Sequence, residues 1–262
     1  MNLARRSCSR LSLRLQNRCY SGSTRLQHGD HDGHGKFLVL DLDGTLIESA
    51  GDVTRAINAL LDKKGVGRKL AKEQVSPMIG DGMQTLVQRA WLETEGEEIK
   101  DKNQLKELAL ILGEIYDQQD YSETILLPKV YETLEFLHEE EGHHFGLATN
   151  KDQKPTEEIL DFFKIRKFFS SVVGGDMLPI QKPNAGHLIT AVEMGGGEVH
   201  EAIMIGDGHN DVLVAHAAGV PSIALRSGYS RIPLEELRPS LIIDTFEEVP
   251  DAITRLTDSS MY

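Results

Sequence analysis

Cysteine is nearly missing from this 262-residue chain: it has two, Cys8 and Cys19, both within the first 29 residues. Beyond that stretch there is no thiol, which excludes disulfides, cysteine nucleophiles and cysteine-held metals from the main body. Long apolar runs are also missing; none approaches the ~18–20 residues of a membrane-spanning helix. Acid is absent from residues 1–29, which hold six arginines: Arg5, Arg6, Arg10, Arg14, Arg18 and Arg25. The whole chain carries a formal charge of −13, so the remainder carries about −19. A body that acidic repels polyanions, which argues against sequence-independent binding to nucleic acid. Its 40% hydrophobic content is ordinary for a folded protein. The length suits one large domain or two small ones.

The basic, Ser-rich start has the composition of an organelle transit peptide, expected over residues 1–29. Arg10, Arg14 and Arg18 form one stripe of a helix, with Leu11 and Leu15 beside it. Arg18-Cys19-Tyr20-Ser21 resembles a mitochondrial matrix-protease site, with cleavage after Tyr20. The expected location is the mitochondrial matrix, with a plastid or the cytoplasm as alternatives. The polar, Gly-rich residues 28–36 read as a leader before the first strand.

Phe37-Leu38-Val39-Leu40 is an apolar run that reads as a buried strand. Asp41-Leu42-Asp43-Gly44-Thr45 comes straight after it, with Gly44 permitting a tight turn. Alternation along a strand points Asp41 and Asp43 the same way. Two carboxylates at one strand mouth repel unless a cation sits between them or they share work on a substrate.

Residues 50–122 read as all-helical. Val53, Ala56, Ile57, Leu60 and Leu61 follow helical spacing. Ser76-Pro77 reads as an N-cap followed by Pro at the first helical position. Leu86, Val87, Ala90 and Trp91 give another helical face, and Leu105, Leu108, Leu112, Ile115 and Gln119 a longer stripe. Helices and strands then alternate, with strands expected at 144–149, 172–173, 202–206, 222–225 and 241–243. Such units imply a parallel sheet covered by helices on both faces. Ligands bind such sheets at the carboxyl ends of the strands. Asp41, Asp43, Thr149, Asn150, Asp207 and Asp211 all fall there, and the helical block should fold over that mouth as a lid.

These residues suit phosphoryl transfer. Asp41 can attack phosphorus, and Asp43 can protonate the leaving oxygen and then take a proton from water. Asp207 supplies a further hard oxygen for Mg²⁺, with Asp211 four residues on. Four carboxylates would repel an anionic substrate, so charge alone asks for the cation. Thr149, Asn150 and Lys182 offer a hydroxyl, an amide and an ammonium to phosphate oxygens.

Taken in order, Asp-Leu-Asp-Gly-Thr-Leu, Ala-Thr-Asn-Lys, Lys-Pro and Gly-Asp-x-x-x-Asp resemble the haloacid dehalogenase superfamily of phosphatases. The resemblance implies an α/β fold, a Rossmann-like parallel-sheet core with a helical cap domain inserted after the first strand. The expected division is a core of 30–48 and 123–262 with a cap of 49–122. It implies Asp41 as nucleophile, Asp43 as acid/base, and Mg²⁺ held by Asp41, the Asp43 carbonyl and Asp207, with Asp211 nearby. Within the superfamily the chain looks most like the phosphoglycolate phosphatases. Leu46 to Asp52, Ile79-Gly80-Asp81-Gly82 with Leu86 and Arg89, Ala148-Thr149-Asn150-Lys151, and Gly174 to Pro179 carry that likeness. It implies that the turn at Gly82 faces the substrate; Arg89 is either a partner for a substrate carboxylate or an outward-facing helical arginine. Gly208 stands where that family usually has Ser.

The resulting expectation is a Mg²⁺-dependent phosphatase of a small phosphorylated metabolite, 2-phosphoglycolate first. Its rivals are a sugar-phosphate mutase, a nucleotide or pyrophosphate phosphatase, and a non-catalytic phosphate-binding protein. Monomer and homodimer are both compatible with the sequence.

Overall fold

The computed structural model describes residues 35–259. The transit-peptide expectation and its cleavage site fall outside the described residues. The chain runs through β1 (Phe37–Leu40), β2 (Ile47–Glu48), α1 (Ala50–Lys63), α2 (Lys72–Val75), α3 (Met83–Glu95), α4 (Lys102–Tyr116) and β3 (Ile125–Leu126). It continues through α5 (Val130–Glu139), β4 (His144–Ala148), α6 (Gln153–Phe162), β5 (Phe169–Val173), α7 (Ala185–Met194) and β6 (Ala202–Gly206). It closes with α8 (His209–Ala218), β7 (Ser222–Leu225), α9 (Leu234–Leu237), β8 (Leu241–Ile243) and α10 (Val249–Ser259).

Six strands form one sheet in the order β5-β4-β1-β6-β7-β8, every neighbouring pair parallel. β1 lies centrally, with β4 on one side and β6 on the other, so the strand order reverses around it. That reversal is where such sheets open a crevice. Period-2 alternation divides β1 between the two faces. Leu38 and Leu40 join the larger apolar cluster, which holds α5, α10 and the helical insert. Phe37 and Val39 join a second cluster with Leu188, Val192 and Val214 of α7 and α8. This is the expected α/β architecture.

The insert between β2 and β3 is helical, as its spacing implies. α1 buries Val53, Ala56, Ile57, Leu60 and Leu61. α4 buries Leu108, Ala109, Leu112 and Tyr116. Both belong to the same apolar cluster as the sheet's larger face. The helical insert therefore enters after the first strand of the sheet, as the resemblance implies.

Four local expectations need correction. Ser76 is not an N-cap: α2 is already helical from Lys72, and the Ser76 hydroxyl donates back to the Lys72 carbonyl at 2.8 Å. Pro77 instead sits in a 3₁₀ turn, Ser76–Met78. α4 ends at Tyr116, short of Gln119, whose side chain accepts from Arg55 Nε at 2.9 Å. β5 starts at Phe169 rather than Val172; Ser170 and Ser171 interrupt the apolar signal, yet Ser171 is buried and donates to the Ala191 carbonyl. The two-residue strands β2 and β3 add to the expected set. They pair antiparallel, Ile47 with Leu126 and Glu48 with Ile125, and tie together the chain's entry to and exit from the insert.

Candidate active site

β1, β4 and β6 are neighbours, so the residues just beyond them converge. Asp41 and Asp43 lie past β1, Thr149 and Asn150 past β4, and Asp207 past β6. Asp211 reaches the same place from the first turn of α8. Asp41, Asp207 and Asp211 are all buried, and each offers an oxygen within 4.8 Å of the others. Gly44 makes the approach possible. Its φ is +86°, and a Cβ there would stand 2.5 Å from Asp207 Oδ2.

Lys182 lies inside this cluster. Its ammonium is 2.9 Å from Asp41 Oδ1 and 2.6 Å from Asp211 Oδ1, and it is buried. Burial opposes its charge, but Asp211 and Asp41 more than offset that and raise its pKa. Burial pushes the Asp41 carboxyl up to about 6, with Asp211 adding to the push and Lys182 resisting it. Burial, then Asp211 and Asp41, lifts Asp207 well above the ordinary carboxylate range. Asp207 is oriented by the Thr45 hydroxyl, which donates at 3.1 Å, and by the Tyr229 amide, which donates at 2.6 Å. Three crowded acids with one internal ammonium still carry an excess of negative charge. That is the electrostatic demand a divalent cation meets.

Asp43 faces the same cavity from a different side. Ser49 Oγ donates to its Oδ1 at 2.5 Å, and Lys151 Nζ stands 3.3 Å from both its oxygens. Lys151 is itself packed over the Tyr116 ring of α4, 4.4 Å from the centroid. Tyr229 lies at the site as well. Its hydroxyl accepts from the Ser49 amide at 2.9 Å and donates to Glu48 at 2.8 Å. Lys151 closes the Ala-Thr-Asn-Lys motif and Ser49 lies in the Leu46 to Asp52 stretch, yet neither motif gives them a role, and Tyr229 belongs to no motif.

The cavity between sheet and insert is lined by Asp41, Asp43, Gly80, Gly82, Thr149, Asn150 and Lys151, with apolar insert side chains opposite. Gly82 does face it. Thr149 accepts from the Lys151 amide at 3.3 Å. Two expectations meet different surroundings. Asn150 spends both amide hydrogens on backbone, at the Gly80 carbonyl (3.0 Å) and the Lys182 carbonyl (3.1 Å), while its oxygen accepts from the Lys182 amide. It clasps the insert's turn to the Lys182 segment rather than offering its amide to a phosphate. Arg89 does not line the cavity. Its guanidinium donates to the Met78 carbonyl at 2.9 Å and pairs with Asp81.

Asp81 is the hub of that second contact. Besides Arg89 of the insert it meets three groups of the core: Arg231 at 2.6 Å, Asn210 Nδ2 at 2.6 Å and His209 Nε2 at 3.1 Å. Partial burial alone would raise its pKa; His209, Arg89 and Asn210 outweigh that and hold it well below the ordinary range.

The family of haloacid dehalogenase-like hydrolases matches residues 38–225. A phosphoglycolate phosphatase of Caulobacter vibrioides is 35% identical over 228 residues, 87% of this chain and 94% of that protein. Phosphoglycolate phosphatase 1 of Pseudomonas aeruginosa is 36% identical over 82% of this chain and 78% of its own length. Among solved structures, one described as a predicted phosphoglycolate phosphatase from Haemophilus somnus matches with TM-score 0.73 at 30% identity. That match covers 84% of this chain and 98% of the other.

Proposed function

The chain belongs to the haloacid dehalogenase-like hydrolase family, and on that premise we propose that it hydrolyses 2-phosphoglycolate through a phosphorylated Asp41. It is a phosphoric monoester hydrolase by its relatives. The observation that carries the finer reading is the meeting of Asp41, Asp43, Asp207 and Asp211 around one cavity mouth.

Asp41 attacks phosphorus in line with the ester oxygen, and the bond from phosphorus to that oxygen breaks as the new one forms. Asp43 gives its proton to the departing oxygen. It then takes a proton from a water that attacks the same phosphorus and breaks the bond to Asp41, which leaves inorganic phosphate. Thr149 and Lys182 hold the phosphoryl oxygens. The hard oxygens of Asp41, Asp207 and Asp211, with the Asp43 carbonyl, fit Mg²⁺ and would hold it. Bound there, the ion supplies positive charge against which a phosphate dianion can approach. Gly82 gives the insert's turn room beside the substrate.

Residues 49–122 act as the cap and residues 30–48 with 123–262 as the core. Among the described residues no helix is long and apolar enough to cross a membrane. The bacterial relatives lend a mitochondrial address no support; it rests on residues 1–29 alone, and a cytoplasmic location is its alternative.

A panel of phosphate esters tests this reading. The expected result is the highest kcat/KM on 2-phosphoglycolate, abolished by EDTA and restored by Mg²⁺. A preference for a sugar phosphate, with an isomerised product, would establish a mutase instead.

A further inference from the structure

We propose that Lys151 and Tyr116 form the subsite that receives the substrate's carboxylate and so select a short phosphorylated acid. This rests on the reading of the chain as a phosphatase of such an acid and says which residues make the selection. Lys151 is the only lysine, arginine or histidine lining the cavity between sheet and insert among the described residues; His209 and Arg231, at the neighbouring mouth, are paired with Asp81. Arg89 is committed to Asp81 and Met78, and Lys182 is enclosed by Asp41 and Asp211. An ammonium has three N–H donors. Lys151 is held by the two Asp43 oxygens, both at 3.3 Å, and by Tyr116, and it lines the cavity together with them.

Tyr116 supplies the second half. It lines the same cavity and is only 3% exposed, and apart from the Lys151 ammonium its hydroxyl has no hydrogen-bond partner. The neighbouring ammonium acts on that ring from 4.4 Å. A buried O–H without an acceptor is costly, and a ligand oxygen beside Lys151 would accept from it.

Position favours a carboxylate close to the ester. Asp43 is the group that protonates the leaving oxygen, and Lys151 is in contact with Asp43. A carboxylate borne on the carbon next to that oxygen therefore falls within reach of Lys151. The insert's side of the wall is hydrocarbon, from Val53, Ile79, Met83, Leu86 and Leu112, and one further carboxylate, Asp152, lines the cavity next to Lys151 in the chain. The cavity is small, about 60 Å³. Sugar hydroxyls placed against that wall would lose water without gaining partners.

Ethyl phosphate is 2-phosphoglycolate with a methyl in place of the carboxylate, so the ratio of kcat/KM on the two esters reads the subsite. The wild type should favour the acid. Lys151→Met should shrink that preference about 100-fold, and Tyr116→Phe about 3- to 10-fold. Lys151→Arg should keep part of it. Lys151 also holds Asp43, so both esters are expected to slow in Lys151→Met; the ratio separates recognition from positioning. If Lys151→Met slows both esters by one factor and leaves the ratio intact, the subsite does not exist. Should that variant not fold, an unchanged ratio in Tyr116→Phe would equally overturn the subsite. A wild type that prefers no acidic ester would overturn the 2-phosphoglycolate reading as well, which tells the two failures apart.

Discussion

At the sheet's mouth Asp41, Lys182, Asp207 and Asp211 share one buried knot of charge. Across the cavity, Val53, Ile79, Leu86 and Leu112 of the insert offer only hydrocarbon. The charged side is assembled by backbone that has little freedom: three adjacent parallel strands end together, and the residues beyond them must meet. The apolar side is assembled by packing of four helices whose inner faces continue into the core beneath the sheet. The first arrangement fixes what reaction can occur. On the proposed function the second would fix which molecule is admitted, and such packing tolerates many sequences that pack equally well.

Replacing one atom at the charged side is the severest way to test that division. Asp41→Asn should lower kcat by at least about 1,000-fold, because a carboxamide is a poor nucleophile for phosphorus. Its thermal unfolding midpoint should not fall, since the change removes one of several crowded negative charges. A variant with near-normal turnover would shift the chemistry away from this cluster.

A cut between the two regions should cost less. Asp81→Ala removes the insert's hold on His209, Asn210 and Arg231 of the core. We expect kcat/KM on the preferred ester to fall about 10- to 100-fold, because the cavity no longer closes in register over Asp41. Steady-state kinetics that match the wild type would mean that the clasp at Asp81 plays no part in closure.

Leu112→Ala asks whether the insert is stable apart from the core. Leu112 is 1% exposed and belongs to an apolar cluster shared with the sheet's face. Truncation should cost about 2–5 kcal/mol and shift a single cooperative unfolding transition. Two separated transitions, with only the earlier one moved, would make the insert an independent folding unit.

Legibility in the chain divides along the same line. Asp41, Asp43, Asp207 and Asp211 are legible because strand ends punctuate the sequence and carboxylates there have few other reasons to exist. All six strands of the sheet announce themselves as apolar runs, and only β5 reads short, where Ser170 and Ser171 break the run. β2 and β3 are illegible, since two residues carry no period. Lys151 closes the Ala-Thr-Asn-Lys motif, but only its contacts with Asp43 and Tyr116 in the fold suggest a role for it. Arg89 looks like a ligand for an anion because its spacing puts it near the cap turn; only the fold reveals Asp81 as its partner. Asn150 misleads for a related reason: nothing in sequence tells that the Gly80 and Lys182 carbonyls already occupy its amide.

Acid should affect the two regions unequally, by the smallest of these effects. The insert, residues 50–122, contains no histidine. The core buries His187 in α7, where burial and then Lys182 lower its pKa to about 4. Its ordinary value is near 6.5. The unfolded chain thus takes up the proton first, so its contribution is complete above about pH 6.5 and is lost as pH falls toward 4. The loss should be of order 2–3 kcal/mol at pH 4, and His187→Gln should flatten that part of the stability profile. Denaturant unfolding across pH 4–8 checks it; an equal slope in variant and wild type would remove His187 as the cause.

The central claim is that phosphorus passes through Asp41, and trapping tests it most directly. Enzyme quenched in acid during turnover and reduced with borohydride should yield homoserine at position 41 and retain aspartate at 43, 207 and 211. Homoserine at another of these positions, or at none while phosphate is still released, would contradict it.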